Sequence, residues 1–259
     1  YFFRYAQTLK AVGDYKKADQ MMAEFNAKNG SDLRGNLAKS QSDYLTEIKK
    51  NSGRYKVENA GINSQFSDYG TAFYKDEIVF TSARDSSGVS GRKHSWTNQS
   101  YTNLYSATKS DNNLGAPEKF SKSVASKYHE STPAFTKDGN TMYFTRNNFL
   151  NGKKEKNKEQ TILLKIYRAR KKDNKWIDID ELPFCSNNYS VAHPALSADE
   201  KTLYFASDMP GTMGASDIFK VSVNADGSFG EPENLGNKIN TEARETFPFI
   251  SGDNELYFA

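Results

Sequence analysis

A serine nucleophile raised on a strained strand-to-helix turn needs Gly-x-Ser-x-Gly, with small residues on both sides of the turn. The nearest approach in this 259-residue chain, Gly88-Val89-Ser90-Gly91-Arg92, fails at its last position. Gly211-Thr212-Met213-Gly214 has neither the length nor the following helix of a phosphate or dinucleotide loop. His94, His129 and His193 stand at spacings that no metal motif uses, so structural or surface roles are expected for them. The single cysteine, Cys185, excludes an internal disulfide and any cysteine-based zinc site. It precedes Ser186, which aligns with Asn63 and Asn240 of other segments, and is expected as a small core residue. Asp178, Asp180 and Glu181 are too few for a calcium loop and are expected on the exposed face of an outer strand. Asp208 and Asp217 are expected to tie turns by accepting backbone N–H bonds. The expectation is no catalytic residue, no cofactor and no metal.

Charge is concentrated in one place. The whole chain carries 35 basic and 32 acidic residues, a net +3 too weak to imply nucleic acid. Residues 151–175 hold eight Lys and two Arg against Glu155, Glu159 and Asp173. Lys153, Lys154, Lys156 and Lys158 are therefore candidate partner contacts, suited to an acidic protein, lipopolysaccharide or peptidoglycan phosphate. The plain alternative is a solvated loop that keeps its sheet soluble. No aromatic platform interleaves with the lysines, so nucleic acid is not expected.

The elements that position these residues repeat. Thr132-Pro133-Ala134-Phe135, His193-Pro194-Ala195-Leu196 and Phe247-Pro248-Phe249-Ile250 each lead through a polar turn into Met142-Tyr143-Phe144, Leu203-Tyr204-Phe205 and Leu256-Tyr257-Phe258. Gly70-Thr71-Ala72-Phe73 leading to Ile78-Val79-Phe80 is an earlier copy, with Thr71 in place of proline. Prolines at 133, 194 and 248 step by 61 and 54 residues. Asp138-Gly139-Asn140 suits a tight hairpin turn, whereas Asp199-Glu200 and Asp253-Asn254 are less ideal and predict longer turns. Third strands are expected at 103–106, 165–168 and 217–220, and weaker outer strands at 116–120, 176–179 and 231–235. Insertions at 86–101 and after Asn148 predict long loops between strands two and three, where a rigid scaffold carries partner sites.

Four-stranded units at this period are the signature of β-propeller blades, in which circular stacking buries both faces of each sheet. The expected fold is mainly β: a propeller of four-stranded WD40-like blades over 54–259, three blades and the start of a fourth, incomplete in this chain. With 15 Tyr, 17 Phe, 17 Gly and only two Trp, the composition agrees with glycine-punctuated aromatic strands. Residues 1–53 follow a helical period instead. Phe2, Tyr5, Ala6 and Leu9 form one stripe, stopped by Gly13-Asp14, and Tyr15, Ala18, Met22 and Phe25 a second. A third helix is expected from Ser31 as N-cap to Lys50. The chain opens without methionine and ends in an apolar run, and is expected to be part of a longer protein.

The helical hairpin, the Ile62-Asn63-Ser64…Ser67-Asp68-Tyr69-Gly70 stretch and the Pro194-Ala195-Leu196-Ser197…Leu203-Tyr204-Phe205-Ala206-Ser207-Asp208 unit together resemble OmpA-family envelope proteins of Bacteroidota. These carry tetratricopeptide and WD40-like repeats, and some belong to the type IX secretion machinery. The resemblance implies a periplasmic, outer-membrane-associated scaffold with envelope proteins of a secretion or gliding complex as partners. Peptidoglycan would be bound through a domain outside this chain. Two other readings stay open: a glycan-binding propeller, and the propeller gate of a hydrolase whose catalytic domain lies elsewhere.

Overall fold

The computed structural model describes residues 1–41, 43–84, 93–110 and 113–259, and divides into two compact units, Tyr1–Glu58 and Asn59–Ala259. The first is a small helical unit: α1 (Phe2–Ala11), α2 (Tyr15–Lys28), α3 (Leu33–Ser40) and α4 (Tyr44–Lys50). The two apolar stripes meet, burying Ala6, Leu9, Ala18, Met22 and Phe25 in one cluster. Gly13 turns the chain at φ +81, and Asp14 begins α2 instead of ending α1, its carboxylate accepting from Lys17 N at 3.2 Å. The expected single third helix is in fact two. Asp32, not Ser31, caps α3 by accepting from Arg34 N at 3.0 Å, and the helix breaks after Ser40. Ser40 and Asp43, which flank the break, are residue types whose side chains compete with helical hydrogen bonding. Ser40 Oγ donates back to Leu37 O at 3.1 Å.

The second unit is mainly β, as expected, and made of successive antiparallel sheets. The first contains β1 (Asp68–Tyr74), β2 (Glu77–Ser82), β3 (Asn103–Ser110) and the short β4 (Asn113–Leu114) and β5 (Glu118–Lys119). The second contains β6 (Glu130–Phe135), β7 (Thr141–Asn147), β10 (Leu164–Lys172) and β11 (Lys175–Glu181), with a separate mini-hairpin, β8 (Phe149–Leu150) and β9 (Lys153–Lys154), between β7 and β10. In the third, β12 (Val191–Leu196), β13 (Thr202–Ser207), β14 (Asp217–Ser222) and β15 (Glu233–Asn234) follow in order, and β16 (Phe249–Ile250) pairs with β17 (Leu256–Tyr257). The first strand of each sheet meets the first strand of the next, β1 with β6, β6 with β12 and β12 with β16, and β2 and β3 also reach β6 as β7 and β10 reach β12. The sheets are thus arranged radially, as propeller blades are, in an open series.

Burial explains the aromatic runs. Met142 and Phe144 of β7 join Tyr74, Val79, Leu104 and Trp176 in a core between the first and second sheets. Tyr143, between them in sequence, joins Leu203, Phe205 and Phe219 in the core between the second and third. A strand covered on both faces has no polar side, so its apolar run is continuous. Each such side chain contributes about 1.5–3 kcal/mol when fully buried.

The turns at 199–200 and 253–254 correct the expectation of greater length. Thr136 N donates to Thr141 O and Ser197 N to Thr202 O, the same span, and the third turn is one residue shorter, from Ser251 to Glu255. A non-glycine residue takes the left-handed conformation where Gly139 does: Glu200 at φ +62 and Asn254 at +59. Asp138 and Asp199 do the same work in each turn. Asp138 accepts from Thr136 Oγ1 at 2.6 Å and Asn140 N at 2.9 Å; Asp199 accepts from Ser197 Oγ at 2.7 Å and Lys201 N at 3.1 Å.

Candidate functional site

The innermost strands converge on a cavity of about 530 Å³, walled by Phe73, Phe135, Leu196 and Phe249 among others. Its lining offers no carboxylate, imidazole, thiol or amine side chain. One left-handed residue stands in each of the first three inner strands and just before the fourth: Gly70 (φ +63), Thr132 (+36), His193 (+58) and Phe247 (+51). The last three each precede the repeat's proline, and the ladders of β1, β6 and β12 shift register there. Left-handed backbone costs an L-residue roughly 1–2 kcal/mol, and the preceding sheet compensates with a hydroxyl. Thr132 N donates to Thr81 Oγ1 at 2.9 Å, and His193 N to Thr145 Oγ1 at 2.7 Å. The first copy has glycine for a further reason. A Cβ at Gly70 would stand 2.9 Å from Thr132 Oγ1 and 3.3 Å from its Cα.

The histidines are absorbed into this framework. His193 Nδ1 lies 2.9 Å from Thr132 Oγ1, and its ring stacks on Phe247 at 3.8 Å between centroids. Burial pushes the His193 imidazole down to about 4. His129 Nδ1 accepts from Thr102 N at 3.1 Å, and burial, with His94 beside it, pushes its ring down to about 4. Both imidazoles are therefore neutral at physiological pH.

The acids are structural too. Asp217, fully buried, accepts from Met213 N at 2.8 Å and Gly214 N at 3.2 Å, and Asp208 accepts from Ser190 N at 2.6 Å. Asp178 and Asp180 lie exposed on β11. At the start of the inner strands a carboxylate ties the Ser or Thr four residues earlier. Asp68 accepts from Ser64 Oγ at 2.8 Å, and Glu245 from Thr241 N at 3.0 Å and Oγ1 at 2.6 Å. Burial opposes ionisation of Asp68, but bonds from Ser82, Ser64 and Arg84 prevail and hold its carboxyl down to about 2. Glu130 is the buried member of the set, 3.0 Å from Arg146 Nε. Burial pushes its carboxyl up to about 7 against the pull of the guanidinium.

Cys185 proves to be the counterpart of Asn240, one position earlier than the alignment through Ser186. Its Sγ accepts from Ile166 N at 3.4 Å and donates to Ile166 O at 3.6 Å. Asn240 does the same with Ile218, at 2.8 and 3.0 Å. Burial pushes the Cys185 thiol up to about 12, which leaves it inert as a nucleophile.

The basic segment 151–175 divides. Lys153 and Lys154 form β9, Lys156 Nζ donates to Gln160 Oε1 at 3.4 Å, and Lys158 follows; all four side chains are exposed on the loop joining β7 to β10. Several of the later cations are engaged. Lys165 is buried, bonded to Glu181 and Asn187 at 2.7 Å each; Arg168 donates to Gly227 O at 2.6 Å and Lys171 to Tyr74 Oη at 2.7 Å. The four candidate lysines thus stay together on one loop, and the rest of the run belongs to the sheet. Residues 86–92 of the 86–101 insertion, and with them the Gly88–Arg92 near-match, lie outside the described residues. What sequence reasoning missed is the aromatic ground beneath the loops. Tyr101, Tyr128 and Phe149 form a chain with centroid spacings of 5.9 and 5.1 Å. The signal was available: Trp96 and Tyr101 sit in a polar stretch with no apolar period to bury them.

Among the described residues, no cluster of three or more His, Cys, Asp or Glu side chains is placed to hold a metal ion. No family model and no curated protein matches the chain. Solved structures resemble it distantly. TolB from Acinetobacter baumannii is 15% identical with a TM-score of 0.44, over 76% of this chain and 38% of its own. A thermostable family-43 glycoside hydrolase is 13% identical at 0.45, over 73% and 62%. The β-propeller domain of Cps50 (Swd1) from Myceliophteria thermophila is 10% identical at 0.35, over 80% and 48%. The chain spans less than two thirds of each, and likeness at this level bears on neither chemistry nor partners.

Proposed function

We propose that this chain is a non-enzymatic interaction module, a scaffold that presents loops on a rigid stack of sheets. The observation that supports it best is the use made of the ionisable groups. Asp68, Asp217, Glu130, Glu245, His129, His193 and Cys185 are each committed to bonds that hold the sheets and turns or to a buried pair, while four exposed lysines gather on one inter-strand loop. A scaffold needs that division; a catalytic centre needs the reverse, perturbed groups converging on an open cavity.

The sequence resemblance gives the setting of this proposal. The chain would act at the periplasmic side of the outer membrane in a type IX secretion or gliding complex, as PorE does, with outer-membrane and periplasmic proteins as partners. Peptidoglycan would be reached through a domain outside this chain. Pull-down from envelope extracts with the chain as bait is expected to recover outer-membrane and periplasmic proteins, and the chain is expected to hydrolyse neither peptide nor glycoside test substrates. Recovery of cytoplasmic proteins alone, or turnover, would contradict the reading. A second reading, glycan binding, draws on the aromatic walls of the central cavity. Calorimetry with peptidoglycan fragments would register heat only if that reading holds.

A further inference from the structure

We propose that the loop face of the first two sheets docks an acidic protein segment, with Trp96 as apolar anchor and the Lys153–Lys158 hairpin as charge partner. This rests on the reading of the chain as an interaction module and adds the face, the residues and the chemistry of the partner.

Trp96 is 91% exposed, yet the turn that carries it is built. His94 N donates to Gln99 O at 2.8 Å, Asn98 N donates to His94 O at 2.9 Å, and Asn98 takes φ +54 to close the turn. Lys93 bridges Ser100, and Ser67 Oγ fastens Gln99 Oε1 at 3.1 Å. The backbone that carries this indole is already ordered, so binding would have to fix only its two side-chain torsions. From the same turn His94 meets Tyr101 at 5.7 Å; Tyr101 lies 4.6 Å from His129 and 5.9 Å from Tyr128, and Tyr128 reaches Phe149 at 5.1 Å. Phe149 opens the mini-hairpin whose other strand is Lys153–Lys154. One aromatic floor therefore joins the tryptophan turn of the first sheet to the lysine hairpin of the second.

The charge on this ground is lopsided. Lys122 and Lys127 are exposed on the connection into β6, and Lys127 lines a cavity of about 480 Å³ between that connection and the hairpin. Together with the four lysines of 153–158, against Glu155 and Glu159 of the same loop, they carry a net +4, and Glu155 already accepts from Asn187. The equivalent loop of the third sheet, 208–216, contains no Lys or Arg. An exposed tryptophan bordered by cations is the composition of a protein hot spot with an electrostatic rim. A lipid surface fits less well. It would receive one indole flanked by Ser95, Thr97, Asn98 and Gln99, little apolar area for interfacial anchoring.

The test uses the whole chain and a labelled Glu-rich peptide carrying leucines. The two tryptophans differ sharply in environment, Trp96 open and Trp176 4% exposed, so a shift in emission on binding reports Trp96. Binding with a blue shift is expected. Trp96→Ala should abolish the shift and weaken binding, and joint Lys153→Glu, Lys154→Glu, Lys156→Glu and Lys158→Glu should weaken it by on the order of tenfold or more. Lys137→Glu with Lys201→Glu, exposed on the turns at the opposite ends of the strands, should change it less than about twofold. No binding, equal binding by the quadruple variant, or an unmoved Trp96 emission would overturn the proposal. So would binding to phosphatidylglycerol vesicles in preference to the peptide. Envelope partners that the quadruple variant still retains would overturn this face while leaving the interaction-module reading intact; the absence of any partner would remove both.

Discussion

The second and third sheets share one backbone plan and part company at two places. Glu130 opposes Arg146 in the second sheet where Val191 opposes Ser207 in the third, and all four are buried. The loop between strands two and three runs from Asn148 to Leu163 in the second and is shorter and free of basic residues in the third. The plan itself tolerates an ion pair or an aliphatic–hydroxyl pair at the same register. What the second sheet adds is a charge-bearing interior next to a charge-bearing loop. The difference teaches that repetition builds the body and departures from it carry recognition.

The largest effect should come from breaking the pair. Glu130→Ala or Arg146→Ala alone leaves a buried charge without its partner and should cost about 3–5 kcal/mol. The joint change Glu130→Val, Arg146→Ser, which copies the third sheet, should cost less than either single change in urea denaturation. If the singles cost little, the pair is no part of the core.

Acidity separates the groups next. His193 has its ordinary 6.5 lowered to about 4 by burial, so the stability that depends on its neutrality is intact above 6.5 and lost as pH falls through 4. That limb is worth on the order of 3 kcal/mol. Glu130 works in the opposite sense. Its ordinary 4.5 is raised to about 7, so its contribution is intact below 4.5 and lost as pH rises through 7. Glu130→Gln should therefore remove the decline between pH 4.5 and 7 in thermal melts and leave the acid limb of His193. A profile unchanged by the substitution would count against the buried carboxyl.

Thr145 has no hydroxyl counterpart in the third sheet, where Ala206 holds the equivalent register position. Thr145→Val should cost about 1–3 kcal/mol by orphaning the His193 N–H, with faster amide exchange at His193 as the specific readout. Smaller again, Cys185→Asn should copy Asn240 and stabilise by up to about 1 kcal/mol. Loss of stability would mean the thiol is held by packing alone.

Much of this architecture was legible in the chain. The Thr132-Pro133, His193-Pro194 and Phe247-Pro248 anchors and their aromatic partners placed the inner two strands of each sheet, because strands buried on both faces must be continuously apolar. The rest was hidden for physical reasons. Left-handed backbone at Thr132 and His193 has no residue signature of its own, since the hydroxyl that supports it lies on another sheet. Burial of Glu130 leaves no mark in the sequence, because its partner Arg146 is 16 residues away and buried acids are uncommon. The break between α3 and α4 was masked by an apolar stripe that continued across it. The mini-hairpin at 149–154 was masked by lysines, and the Cys185–Asn240 equivalence by a one-residue slip.

The division between body and recognition loop can be tested by excision. Asn148 N donates to Leu163 O at 2.8 Å, so the two ends of the loop already face one another and can be joined through Asn-Gly. Affinity of the excised chain for the Glu-rich peptide is the decisive measurement. The account expects the chain to melt cooperatively within a few degrees of the parent while losing at least about tenfold in affinity. Undiminished peptide binding by a folded, excised chain would contradict it.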